Sequence, residues 1–151
     1  MLKHITIEGV RNLVPAQVAL PAGATVLFGA NGSGKTSFLE AIHLLAVGRS
    51  FRTHQSKPVI QHGMAYCRVV GEVRRSGRTK MMGLEKHRDG SVKARVGGDN
   101  VSSLSELALH LPLVLVDTEG LGIVTGPPEG RRRLLDGTLF HVEQGFLSQW
   151  K

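Results

Sequence analysis

Cysteine occurs once, at Cys67, so the chain can make neither an intrachain disulfide nor a cysteine-built zinc site. Its place in an apolar strand pattern marks it as a small buried hydrophobe. Aromatic residues are only 5% of the chain, so the core must rest on Leu, Val, Ile and Ala, and no aromatic stripe is available for stacking bases. No apolar run is long enough to cross a bilayer. Met1-Leu2-Lys3-His4 runs directly into a strand pattern and not into a secretory leader, so a cytoplasmic location with no membrane partner is the expectation. The seven histidines show no metal-ligand spacing and read as structural or surface residues. Acid is also scarce: 12 Asp and Glu against 19 Lys and Arg leave a net charge of +7, which favours an anionic partner, nucleic acid foremost.

What remains is ample for one domain: 151 residues, 41% of them hydrophobic, with 19 glycines. Lys3 to Glu8 alternates as a strand with one wet face, and Val18 and Leu20 begin a second. Thr25-Val26-Leu27-Phe28 is a continuous apolar run, expected as a strand buried on both faces. Ser37 to Val47 reads as a helix covered on most sides, with Glu40 and His43 as its strongly polar residues and Gly48 closing it. Strands are expected over Tyr66 to Arg74, Arg78 to Lys86 and Val92 to Val96, turned by Ser76-Gly77 and Asp89-Gly90. Ser102 or Ser103 caps a short helix, with Glu106 three residues after Ser103 completing a capping box, and Leu113 to Val116 is a second buried-strand run. Gly126-Pro127-Pro128 breaks the chain before helical patterns over Arg131 to Leu139 and Glu143 to Lys151. The last of these stops at Trp150-Lys151 without a closing turn, which suggests a fragment.

The sharpest motif is Gly29-Ala30-Asn31-Gly32-Ser33-Gly34-Lys35-Thr36, which meets every fixed position of the phosphate-binding loop G-x-x-x-x-G-K-[ST] between an apolar run and a helix. Glycines let main-chain amides wrap phosphate oxygens, and a helix start adds unpaired donors and the positive dipole end. Lys35 would reach the β- and γ-phosphates of ATP, Thr36 would offer its hydroxyl to Mg²⁺, and Ser37 follows in the first helical turn. The motif indicates nucleotide binding, not a reaction. Leu113 to Asp117 resembles a second nucleotide motif, an apolar strand ending in an acid. On that reading the chain is a complete small P-loop kinase, with Asp117 or Glu119 helping the metal. A basic DNA-binding module with a vestigial loop is a further alternative.

The order of motifs narrows the choice. Val10-Arg11-Asn12, then Phe28 to Thr36 and Leu39-Glu40-Ala41-Ile42, then Gly48-Arg49-Ser50-Phe51-Arg52 come first. Glu119, Ile123 to Pro128, Arg131-Arg132 and Leu135-Asp136 follow. This succession resembles the RecF family, ABC-type, SMC-like ATPases of DNA replication and recombinational repair, over essentially the whole chain. The two later stretches are far more specific than the loop alone. Thr118 and Leu134 depart from the family pattern, where proline and an aromatic are usual, which bears on the geometry around Glu119. The resemblance implies an α/β P-loop NTPase fold: an ABC-ATPase-type nucleotide lobe over residues 1–126, with a mixed sheet around the loop helix, an antiparallel hairpin sheet at about residues 65–97, and the first helices of a helical lobe over 127–151. It implies that no catalytic residue lies within this chain. Asp117 would not be the metal acid, and Glu119 would be a loop residue sensing the γ-phosphate. Arg11 and Asn12 would lie near the nucleotide. The implied setting is the SOS response to DNA damage, with ATP and Mg as cofactors. The implied partners are gapped or single-/double-strand DNA junctions, RecO- and RecR-type proteins, and a second copy in an ATP-dependent homodimer.

Basic residues fall into three groups: Arg74, Arg75, Arg78, Lys80, Lys86, Arg88, Lys93 and Arg95 in the hairpin region; Arg49, Arg52 and Lys57 after the loop helix; and Arg131 to Arg133. Of these, Arg49, Arg52, Arg74, Arg75, Arg78, Lys80, Lys93 and Arg95 are the candidate DNA contacts. Without aromatics beside them, contact with the phosphate backbone, independent of sequence and steeply salt-dependent, is the expectation.

Overall fold

The computed structural model describes residues 1–116 together with 128, 129, 131, 132 and 135. The chain divides into two compact units, Met1–Leu113 and Val114–Lys151. Within the first, six strands form one antiparallel sheet in the order β2-β1-β3-β4-β5-β6. They are β1 Leu2–Glu8, β2 Ala16–Ala19, β3 Tyr66–Arg75, β4 Arg78–His87, β5 Val92–Val96 and β6 Asp99–Asn100. Helix α1, Lys35–Val47, packs on one face of β3 and β4, and the short helix α2, Ser105–His110, packs beside α1.

The alternation read from the sequence sets the inward face. Ile5 and Ile7 of β1, Cys67, Val69 and Val73 of β3, Met82 and Leu84 of β4, and Ala94 and Val96 of β5 are all buried. They meet Ala41, Leu44, Leu45 and Ala46 of α1, with Leu107 from α2. Gly71 lets the helix come close: a Cβ there would lie 2.5 Å from Leu45 Cδ2. The Ser76-Gly77 turn behaves as its dipeptide requires, whereas at Asp89-Gly90 only Gly90 takes a positive φ, 94°. Ser76 and Gly77 have φ of 49° and 79°. At the other turn the N–H of Ser91 donates to Asp89 Oδ1 at 2.8 Å.

Three local expectations are corrected. Thr25–Phe28 is not a buried strand: it pairs with no strand of the sheet, and Val26 and Phe28 are 78% and 91% exposed. Leu113–Val116 is likewise unpaired, with Val114 and Val116 at 81% and 85%. So no mixed sheet forms around α1 among the described residues. Apolarity shows that a run suits burial, but an extended run is buried only where neighbouring strands take up its N–H and C=O groups. The capping box is also shifted. Glu106 Oε2 accepts from the backbone and hydroxyl of Ser102, not Ser103, whose hydroxyl instead pairs with Ser105 Oγ at 2.7 Å.

Candidate nucleotide site

The phosphate-loop motif occupies the turn entering α1. Gly29, Gly32 and Gly34 have φ of 145°, 79° and 97°. Gly34, left-handed at the helix N-cap, has no room for a side chain, since a Cβ would meet Leu13 Cδ2 at 2.7 Å. Lys35 curls back over the loop, its Nζ donating to Gly29 O and Ala30 O, each at 2.8 Å. Among the described residues the loop uses one backbone N–H internally, Ser33 N to Ala30 O at 3.3 Å, before Phe38 N to Gly34 O opens the helical ladder. Its remaining amides and the first turn of α1 are therefore donors for an anion, next to the lysine charge.

Asn12 clips this turn to the helix. Its Nδ2 donates to Gly32 O at 2.8 Å, and its Oδ1 accepts from Ser37 Oγ at 2.9 Å. Asn12 thus meets the loop, whereas Arg11 turns away from it to Glu40. Arg11 Nε and Nη2 reach the two carboxylate oxygens of Glu40 at 2.8 and 2.7 Å. Ser50 Oγ adds a third bond to Glu40 at 2.5 Å, and Arg52 Nη1 stands at 3.5 Å. Burial alone would push the Glu40 carboxyl up. The bonds from Arg11 and Ser50 and the charges of Arg11 and Arg52 outweigh it and hold the group below the ordinary carboxylate range. Ser50 in turn accepts the N–H groups of Arg52 and Thr53. Beside it, burial pushes the His43 imidazole down, while Nδ1 lies 2.6 Å from Arg49 O. In the sequence the centre of this network shows as Glu40, the one acid of a mostly apolar helix that also carries His43.

A cleft of about 430 Å³ continues from Arg11, Asn12 and Ser37 to Arg52, Lys57, Pro58, Ile60, His62 and Arg88. Arg88 is tied down there by Met64 O and Gln61 O, at 2.5 and 3.1 Å. Thr36 is exposed at the loop. Among the described residues no cluster of three or more His, Cys, Asp or Glu could hold a metal ion. Loop, lysine and hydroxyl suit an Mg-bound nucleotide, because Mg²⁺ takes few protein ligands and bridges phosphate oxygens.

The candidate DNA contacts separate. Arg49 and Arg52 lie on the segment after α1. By register, Arg75, Arg78 and Lys80 belong to the helix-covered side of the sheet, continuing the row of Val73. Arg74, Lys93 and Arg95 belong to the opposite side, where Lys93 stands opposite Glu85, Arg95 bonds Asn100 Oδ1 at 3.0 Å and Arg68 pairs with Glu8 at 2.6 Å. Pairing and alternation therefore split the hairpin cations between two faces. Asp117, Glu119, Thr118, residues 123–127, Arg133 and Leu134 lie outside the described residues. So do the expected boundary at 126–127 and the helix over 143–151, while Pro128, Glu129, Arg131, Arg132 and Leu135 are helical.

The comparisons agree with this geometry. The model of the RecF/RecN/SMC N-terminal domain matches residues 1–121. The DNA replication and repair protein RecF of Azotobacter vinelandii is 44% identical over 150 residues, covering 99% of this chain and 41% of the relative. That of Pseudomonas putida strain W619 is 43% identical over 151 residues, with the same coverage. The chain thus spans about two fifths of the length of these relatives. A solved structure of the recombination mediator protein RecF with ATP, from the RecFOR pathway, superposes with a TM-score of 0.85 at 29% identity, over 95% of this chain and 39% of that one. An SMC ATPase structure, from a study of ATP-driven dimerization, gives 0.72 at 18% identity over 91% and 98%, which shows the ABC-ATPase-type fold alone. Motif order, loop geometry and these matches lead to one conclusion: the chain belongs to the RecF/RecN/SMC N-terminal domain family, within its RecF group.

Proposed function

We propose that this chain is the ATP-binding part of a RecF-like DNA replication and repair protein. Its loop, Gly29 to Thr36 with Ser37, would cradle the phosphates, Lys35 would neutralise them and Thr36 would hold Mg²⁺. The observation that carries the reading is the turn itself: uncommitted amides at a helix start, with the Lys35 ammonium over them. Arg11 and Asn12 support the loop, and the adjoining cleft leaves space for the remainder of a nucleotide. A bound Mg²⁺ would supply charge neutralisation at the phosphate oxygens.

By likeness to its relatives, the whole protein would bind gapped or single-/double-strand DNA junctions in an ATP-dependent way. It would act in the cytoplasm, pair as an ATP-sandwiched homodimer, and work with RecO- and RecR-type proteins in recombinase loading. The nucleotide lobe would run over residues 1–126, and 127–151 would open a helical lobe, with Glu119 near the γ-phosphate. Arg49, Arg52, Arg74, Arg75, Arg78, Lys80, Lys93 and Arg95 are the proposed phosphate-backbone contacts. A salt titration of duplex-DNA affinity tests them; a flat response would exclude such contacts.

The decisive experiment is equilibrium binding of ATP with Mg²⁺ to the chain and to Lys35→Ala. Binding by the wild type and its loss in the variant are expected. Equal binding by both would mean a vestigial loop. Turnover should be slight, since most of the rate of phosphoryl transfer comes from groups positioned around the γ-phosphate; robust hydrolysis would favour the small-kinase reading.

A further inference from the structure

The Glu40 carboxylate bonds Arg11 and Ser50 and no residue of the phosphate loop, yet Glu40 is the only fully buried acid among the described residues. It sits one helical turn after Ser37, on the same face of α1. Two structural links leave it in opposite directions.

The first runs to the loop. The fork of Arg11 takes both oxygens of Glu40, at 2.8 and 2.7 Å. The Arg11 backbone is held left-handed, at φ 52°, and its N–H bonds Val59 O at 2.8 Å. With side chain and backbone both fixed, the next residue has little freedom. That residue is Asn12, which joins Gly32 O to Ser37 Oγ. The second link runs to the segment after the helix. Ser50 Oγ donates to Glu40 Oε1 and accepts from Arg52 N and Thr53 N, so the carboxylate also fixes the start of the basic segment.

We propose that Glu40 is a positioning residue for the nucleotide site, setting the phosphate loop through Arg11 and Asn12 and holding the Arg49–Thr53 segment in register with it through Ser50. The proposal rests on the nucleotide-binding reading above. Only a carboxylate can do this, since it accepts on both oxygens. A glutamine offers one acceptor and one amide donor, and the donor would face an arginine or serine donor.

The test is a double-mutant cycle on ATP affinity, in the presence of Mg²⁺, with Glu40→Gln, Asn12→Ala and the pair. Each single change is expected to weaken binding roughly tenfold, as loss of charge-assisted positioning bonds does. Because both act on one relay, the pair should be no more than about twofold weaker than the worse single variant. A Glu40 that merely stabilised the fold would lower the melting temperature with affinity unchanged, or give fully additive losses; either result overturns the proposal. Should Glu40→Gln fail to fold, Arg11→Lys, which keeps the charge but loses the fork, replaces it in the cycle with the same expectations. Lys35→Ala separates the two readings. Wild-type affinity in Glu40→Gln with loss in Lys35→Ala sinks the role of Glu40 and leaves the nucleotide site standing, whereas a wild type that does not bind ATP sinks both.

Discussion

Arg11→Met would expose how much the buried Glu40 carboxylate depends on its fork. Methionine keeps the aliphatic stem and tolerates the volume, so the change removes little besides the guanidinium. The Glu40 side chain is 0% exposed and that of Arg11 19%, so solvent replaces little of what is lost. Removing one partner of such a pair costs about 3–5 kcal/mol. Here Ser50 at 2.5 Å and Arg52 at 3.5 Å remain, which points to the lower end, about 3 kcal/mol. Urea unfolding at about pH 7 would measure it as a shift of midpoint at constant slope. The pH dependence gives a second check. In the wild type the Glu40 pKa is below its ordinary 4.5, so its contribution is complete above that value and is lost as pH falls through the folded value. In the variant the burial that raises the pKa is offset only by Ser50 and Arg52, so the folded state takes up a proton more readily than the folded wild type does. The stability gap between the two proteins should therefore narrow as pH falls from about 7 to about 4. A gap under about 0.5 kcal/mol that stays flat with pH would refute the argument.

Two glycines on opposite faces of the sheet should differ sharply. Gly71→Ala drives a Cβ to within 2.5 Å of Leu45 Cδ2 and 2.8 Å of Leu2 Cδ1, and should cost about 1–3 kcal/mol in urea unfolding. Gly83→Ala, with Val70 Cγ2 at 3.8 Å as the nearest atom, should be neutral or mildly stabilising; equal effects would show that α1 does not press on the sheet as described. Burial pushes the Cys67 thiol up to about 11, so native protein should resist thiol reagents at about pH 8 until denaturant is added. Rapid native labelling would place Cys67 outside the core.

Much of this fold is legible from short-range pattern. Val92–Val96 is a strand with the bounds its alternation gives, and Ser76, Gly77 and Gly90 turn the chain with the positive φ their types tolerate. The phosphate loop is readable because its constraints are local: glycines at left-handed positions and a lysine one residue into the helix. The exposure of Thr25–Phe28 is not legible in the sequence, because hydrophobicity does not name the neighbour that would cover the run. The role of Glu40 was not legible because its partners, Arg11 and Ser50, come from either side of it in the chain and meet it only after α1 docks. The hairpin cations form one cluster in sequence, yet β-pairing sends Lys80 and Lys93 to different faces.

The sheet ends in two abbreviated borders. β6 is two residues long, and β2 is four residues set between Pro15 and Pro21. Among the described residues neither border offers a length of ladder onto which a foreign strand could zip, and proline has no N–H to give. Borders this short give another sheet little to grow from, a safeguard against sideways aggregation.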